Sequence, residues 1–358
     1  MTPALQTLIR RHYIDLQGYV SAGMEAGKDE TRIFLNANEN PFELPGLEKY
    51  NRYPEPQPPK LLAGYAALYG VNPDNIVMTR GADEAIAILI RLFCEPYKDA
   101  IITMPPGFAM YDVGAKSIPA DIIEIPLVKN NGTFELDTAA IIRASARAKL
   151  IFLCSPNNPT ATGFPHNEIQ KICREVEGNS VVILDETYAE FSKAGSMANS
   201  LKDHPNLIIL RTLSKSYALA GQRMGTILCH DTDFIKFMRG KCLDAYPLPR
   251  ASVNAALRVM EPAIQKIAQG NIQKLLAEKD YLVDGFTKSP MVRHIYPSDA
   301  NFFLVEMDRA KEFCDFCAAN KIILRDFSSK PATKDCLRIS AGTREQNDAL
   351  LILLEKFQ

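Results

Sequence analysis

Short apolar runs, each ending in a group of polar residues, recur along this chain and limit what it can fold into. They cover 75–80, 100–104, 149–154, 180–184, 207–210 and 225–229. Each is too short for a helix and has apolar side chains at successive positions, the pattern of a strand buried on both faces. Longer segments of helical periodicity, among them 61–69 and 85–93, lie between them. That alternation predicts an α/β fold with a mostly parallel central sheet and helices on both faces. Ligands in such sheets bind beyond the carboxyl ends of the strands. The polar groups gather at those ends: Pro105-Pro-Gly-Phe-Ala-Met-Tyr111, Ser155-Pro-Asn-Asn-Pro-Thr160 and Asp185-Glu-Thr-Tyr188. One site assembled by several loops is the expectation.

After Tyr246-Pro-Leu-Pro249 the pattern changes. One or two long helices over 251–285 are followed by strand-like runs (301–306, 321–324, 336–340) mixed with helices at 309–319 and 345–357. We read residues 31–246 as a large domain, and 1–30 with 247–358 as a smaller α+β domain. The first 30 residues are expected to form helical pieces that pack on the smaller domain. Residues 32–41 read as a short strand entering a polar loop, and Pro54, Pro56, Pro58 and Pro59 stiffen the next loop.

Composition excludes several classes of protein. Forty-one basic against forty-two acidic side chains give a net charge of −1, with no basic cluster to meet a nucleic acid. No stretch approaches the roughly 18 apolar residues of a membrane span. At the N-terminus the basic residues follow the apolar ones, the reverse of a secretory leader. Eight cysteines in 358 residues do not suggest a disulfide framework. The cytoplasm is the expected location. Cys314-Asp-Phe-Cys317 lacks a second pair at zinc spacing, and Phe313, Cys314 and Cys317 instead share a helix face.

The run at 207–210 leads into Thr212-Leu-Ser-Lys215, with Arg223 between Gly221 and Gly225. A lysine here could be an ordinary surface residue. With two hydroxyls and an arginine beside it, it also suits a bound phosphate and a covalent amine. Amines bond to aldehydes, and the cofactor carrying both an aldehyde and a phosphate is pyridoxal phosphate. Its ring nitrogen takes up electrons only when protonated, which calls for a carboxylate shielded from water; Asp185, directly after a buried strand, is so placed. Tyr188 and Asn158 could donate to the ring oxygen. Phe108 could stack on the ring. Thr212, Ser214, Arg223 and the backbone N–H groups of Ala82 and Asp83 at a helix start could hold the phosphate. Asp83 could equally be a helix cap.

The chain resembles the fold type I, aspartate-aminotransferase-like pyridoxal-phosphate enzymes, and among them the histidinol-phosphate aminotransferase branch. The resemblance rests on Leu35-Asn-Ala-Asn-Glu-Asn-Pro41, Asn51-Arg-Tyr-Pro54, Arg80-Gly-Ala-Asp-Glu84, Cys154-Ser-Pro-Asn-Asn-Pro-Thr160, Asp185-Glu-Thr-Tyr188, the lysine segment 212–221 and Cys336-Leu-Arg-Ile-Ser-Ala-Gly-Thr-Arg344. It implies transfer of an amino group from L-histidinol phosphate to 2-oxoglutarate, in histidine biosynthesis. By resemblance Lys215 bonds to the cofactor and moves the proton, Asp185 pairs with the ring nitrogen, and Tyr188 and Asn158 hold the ring oxygen. Arg338 then meets the substrate anion, Arg325 is the second arginine of that pocket, and Tyr19 lines it. Tyr53 resembles the tyrosine that crosses to the neighbour's cofactor phosphate, which implies a homodimer.

Two departures stand out. Ala161-Thr162 intervene between Asn-Pro-Thr and Gly163, so the turn after Asn158 is expected to differ. Phe108 stands where the family often has tyrosine, which keeps the ring face and loses a hydroxyl. Three other readings stay open on sequence: decarboxylation of a phosphorylated amino acid such as threonine phosphate, an aromatic amino-acid aminotransferase, and a cofactor-binding regulatory module. The last normally carries a DNA-binding extension, and no basic segment of that size is present.

Overall fold

The computed structural model describes residues 1–18 and 33–357. Its strands are β1 (Ile76–Thr79), β2 (Ala100–Thr103), β3 (Asp121–Glu124), β4 (Val128–Asn130), β5 (Thr133–Glu135), β6 (Leu150–Cys154), β7 (Val181–Asp185), β8 (Leu207–Thr212), β9 (Gly225–Leu228), β10 (Val292–Ile295), β11 (Phe302–Met307), β12 (Arg325–Asp326) and β13 (Cys336–Ser340). Seven form one sheet in the order β1-β9-β8-β7-β6-β2-β3. The pairs from β8 to β3 are parallel. β9 runs antiparallel to both β1 and β8, so the carboxyl ends of the other strands share one edge.

Alternation along the strands sorts side chains into two cores. Ile151, Leu153, Val182, Leu184, Leu207 and Ile209 enter one; Phe152, Cys154, Val181, Ile183, Ile208 and Leu210 enter the other. With a period of two, Asp185 continues the Val181/Ile183 series and Thr212 continues Ile208/Leu210. Both polar residues therefore emerge from the same face at the same edge. Asp185 lies level with Cys154 on one side and Leu210 on the other.

The smaller sheet, β10-β11-β13-β12, is antiparallel throughout. Leu337 and Ile339 point into a third core with residues from the helices Pro262–Thr287, Ala310–Ala319 and Arg344–Phe357. Arg338, between them, faces the other way, toward the large sheet. Phe313, Cys314 and Cys317 pack in that third core, as a shared helix face requires.

Four expectations are corrected. Residues 33–41 form no strand: Ile33 and Leu35 are 87% and 89% exposed, and no strand among the described residues receives their backbone groups. Residues 321–324 form no strand; Lys321, at φ +67, closes the preceding helix through its N–H to Ala318, and pairing starts only at Arg325. Leu5, Leu8 and Ile9 pack against the large sheet's helix layer, not on the smaller sheet. Arg10 secures them, donating its backbone N–H to Leu92 and pairing with Glu95 at 3.0 Å. Finally, the helix Arg250–Val259 packs on the large unit, where Val253, Ala256 and Val259 join its core.

Gly225 is fixed by backbone approach. It pairs with Thr79 in β1 and Thr212 in β8, and a Cβ there would sit 2.5 Å from the carbonyl carbon of Gly81 and 2.9 Å from the nitrogen of Ala82. Neither contact is with a side chain that could swing aside. Gly225→Ala should destabilise the fold by about 1–3 kcal/mol, the usual scale of overpacking, read as a lower denaturant midpoint. An unchanged midpoint would show that the two segments can separate freely.

Candidate active site

Asp185 is the centre of the strand-end cluster. Its carboxylate is buried, at 2% exposure. Oδ1 accepts the Thr187 backbone N–H at 3.0 Å and its hydroxyl at 2.6 Å, and Oδ2 accepts the Tyr111 hydroxyl at 2.9 Å. Among the described residues no cation pairs with it. Burial holds its pKa above the ordinary aspartate value, against the opposing pull of the Thr187 and Tyr111 hydrogen bonds. The Tyr111 ring stacks on Phe152 at 4.7 Å and meets Phe108 edge-on at 5.6 Å.

Lys215 follows β8 and reaches open solvent. Its amine is nonetheless held below the ordinary lysine value, first by burial and then by the Arg338 and Arg223 charges, with Asp83 and Asp185 pulling the other way. The charged members of the predicted set thus share one electrostatic neighbourhood.

At one side lies an anion cradle. The Thr212 hydroxyl bridges Met224 and Ser214, donating to the carbonyl of the first and meeting the hydroxyl of the second, both at 2.9 Å. Arg223 adopts a left-handed backbone (φ +53) and donates to the Asp83 carboxylate at 3.0 Å and the Ala220 carbonyl at 3.1 Å. The helix Gly81–Phe93 starts beside it without a side-chain cap, so the Ala82 and Asp83 N–H groups lack intrahelical partners. Gly81 has φ +81, and a Cβ there would lie 2.6 Å from an Arg223 nitrogen. Asp83 would therefore offer an anion its backbone, while its carboxylate orients Arg223.

On the opposite side Asn158 joins two groups. Its amide nitrogen donates to the Tyr188 hydroxyl at 3.3 Å, and its oxygen accepts from Arg338. Tyr188 is buried, which pushes its hydroxyl well above the usual tyrosine range. Arg338 crosses the rings of Phe302 and Phe327 at 5.3 and 5.8 Å, and its Nε is buried with no partner among the described residues. Burial lowers its pKa, and nearby Arg325 adds to that effect. Arg325 is paired with Arg338 across β12 and β13 and is exposed.

One predicted residue falls outside the cluster. Tyr53, 55% exposed, stacks on Tyr246 at 4.1 Å, and its backbone N–H donates to Glu39. Tyr19 lies outside the described residues. The inserted Ala161-Thr162 forms a closed turn: Ala161, at φ +63, donates to Asn157 at 2.8 Å, and Asn157 donates to Thr162 at 2.8 Å. Tyr111 and Thr187, the donors to Asp185, were not assigned from sequence. The signal available was their position just past the ends of β2 and β7.

The sequence model for aminotransferase class I and II matches residues 32–353. The chain belongs to this family. A histidinol-phosphate aminotransferase of Xylella fastidiosa (strain 9a5c) is 38% identical over 361 residues, covering 100% of this chain and 98% of the relative. One from Buchnera aphidicola subsp. Schizaphis graminum is 39% identical over 360 residues, covering 100% of both. Among solved structures, histidinol-phosphate aminotransferase from Sinorhizobium meliloti, in complex with pyridoxal-5'-phosphate, matches with a TM-score of 0.77 at 23% identity, covering 86% of this chain and 84% of that one. L-threonine-O-3-phosphate decarboxylase from Porphyromonas gingivalis matches with a TM-score of 0.71 at 22% identity, covering 86% and 91%. These two likenesses establish the fold, which both activities share.

The cluster fits the pyridoxal phosphate on which this aminotransferase family depends. It has a buried carboxylate with no cation among the described residues for a protonated ring nitrogen, an uncapped helix start with an arginine for the phosphate, and an amine of lowered proton affinity in electrostatic reach of both. The cofactor-free chain should show the cost of the buried carboxylate. Because the folded pKa of Asp185 is raised, the folded chain binds more protons than the unfolded one between the two values, so this contribution to stability falls as pH rises through them. Asp185→Asn should therefore stabilise the cofactor-free protein at neutral pH, with the gain vanishing as pH drops below the ordinary carboxylate range. Denaturant midpoints across pH measure this, and a pH-independent difference would contradict it.

Proposed function

We propose that this aminotransferase moves the amino group of L-histidinol phosphate to 2-oxoglutarate, with pyridoxal phosphate as cofactor. The substrate reading is carried by full-length relatives of that name at 38% and 39% identity. When bound, the cofactor supplies an aldehyde and an electron-withdrawing ring. The chain's own residues do the rest. Lys215 provides the amine that bonds to the aldehyde and a base to move the proton at the substrate carbon, a task suited to an ammonium of lowered pKa. Asp185 keeps a proton on the ring nitrogen. Tyr188 and Asn158 donate to the ring oxygen, and Phe108 covers the ring. Thr212, Ser214, Arg223 and the backbone of Ala82 and Asp83 hold the phosphate.

Arg338 is assigned to the substrate anion, with Arg325 beside it and Tyr19 lining the same pocket. A planar guanidinium fits either a carboxylate or a phosphate, so one arginine can serve 2-oxoglutarate and histidinol phosphate in turn. The buried Nε without a partner supports that assignment. We further propose a cytoplasmic homodimer. All eight cysteines are free, and no described helix is long and apolar enough to cross a membrane. Ile33, Leu35, Phe42, Leu44 and Tyr53 stand exposed along one N-terminal segment, which supports a second copy covering it and Tyr53 reaching that copy's phosphate.

A donor panel tests the activity. With histidinol phosphate and 2-oxoglutarate, glutamate should form without CO2 release, at least about tenfold faster than with phenylalanine. CO2 release from phosphothreonine without glutamate would favour the decarboxylase reading instead. Tyr53→Phe should speed loss of cofactor on dialysis of the dimer by about fivefold or more, one hydrogen bond to a charged group. Unchanged retention would leave this tyrosine a packing residue.

A further inference from the structure

The Asp185 carboxylate is gripped unevenly. Thr187 supplies two donors to Oδ1, while among the described residues Oδ2 accepts from Tyr111 alone. Thr187 is two residues away in the same loop and would follow Asp185 if it turned. Tyr111 comes from a different element, the helix Met110–Ser117, and cannot follow. Its ring is buried and held between the face of Phe152 and the edge of Phe108. The other ionisable groups within electrostatic reach are Asp83, Cys154, Tyr188 and Lys215, and none is a hydrogen-bond donor to either oxygen.

Resting on the reading of this site as a pyridoxal-phosphate seat, we propose that Tyr111 is a positioning residue acting through Asp185: its hydroxyl fixes the plane of the carboxylate and so sets how firmly a protonated ring nitrogen is held. A hydroxyl donating to a carboxylate draws off part of its negative charge and favours the ionised form. With Tyr111 in place the ring proton stays on nitrogen, opposite an aligned anion. Without it the carboxylate is held through Oδ1 only, Oδ2 loses its donor, and the group binds a proton more strongly itself, so the ionic contact weakens. The same hydroxyl also meets the buried Cys154 thiol, a residue given no part in holding the cofactor.

Tyr111→Phe keeps both ring contacts and removes only the donor. The cofactor-free variant and wild type are titrated with pyridoxal phosphate and with its deaza analogue, in which a CH replaces the ring nitrogen. The variant should bind pyridoxal phosphate about tenfold more weakly, the scale of one hydrogen bond to a charged group, and bind the deaza analogue as wild type does. Thr187→Val, which leaves the backbone donor in place, should show a smaller loss with the same selectivity. Equal losses for both compounds, or no loss for either, would overturn the role of Tyr111 while leaving the seat intact. Failure of wild type to bind pyridoxal phosphate would overturn the seat and the proposal with it.

Discussion

A buried carboxylate without a cation is an expensive thing to fold around, and the site is arranged about one. Asp185 ends a strand whose other residues are wholly apolar, so it is carried into the interior by the sheet itself. Three hydrogen bonds from Thr187 and Tyr111 offset part of the desolvation without neutralising the charge. What remains is a fixed negative charge at the carboxyl edge of the sheet, suited to a cationic ring nitrogen. The lowered proton affinity of Lys215 has a related origin, since partial burial and then the Arg338 and Arg223 charges disfavour its ammonium although the residue reaches solvent. Strand order makes this possible: β7 and β8 are parallel neighbours, so Asp185 and the lysine loop leave the sheet at the same edge.

A second constraint links the two sheets. Asn158, after β6 of the large sheet, accepts from Arg338 of the smaller one and donates to Tyr188. The residue assigned to the ring oxygen and the residue assigned to the substrate anion are thus joined through a single amide. Lys129, on the β4–β5 hairpin, adds a second tie, pairing with Glu306 of β11 at 2.9 Å. Any movement of the smaller unit shifts Arg338 relative to the cofactor seat, so placement of substrate and orientation of Asn158 are coupled.

Much of this was legible because the central strands are buried on both faces. Uninterrupted apolar runs mark them, and the first polar residue after each, Asp185 above all, marks the site edge. The edge strand β3 and the β4–β5 hairpin were missed for the converse reason: their residues are largely exposed, so no apolar run announces them. Residues 32–41 looked like a short strand entering a loop, but a strand needs a partner and none is present among the described residues. The contacts that tune the site were hidden by distance along the chain. Tyr111 meets Asp185 across 74 residues and Arg338 meets Asn158 across 180, and no local pattern encodes either. The family resemblance supplied Arg338 and Arg325; periodicity alone placed the first within, and the second just past, strand-like runs of a smaller α+β domain, without a role. Within residues 1–18 the expected helical pieces are Pro3–Gln6 and Arg11–Asp15, yet their docking on the large sheet depends on Leu92, Glu95 and Asp231, residues far away in sequence.

The account depends on the Lys215 amine bonding covalently to pyridoxal phosphate. Borohydride reduction of the cofactor-loaded protein, followed by digestion and mass spectrometry of the peptides, reads that bond directly. The reduced cofactor should be found on the peptide containing Ser214, Lys215 and Ser216, attached at Lys215. Attachment at another lysine, or no attached cofactor in protein that turns over, would contradict it.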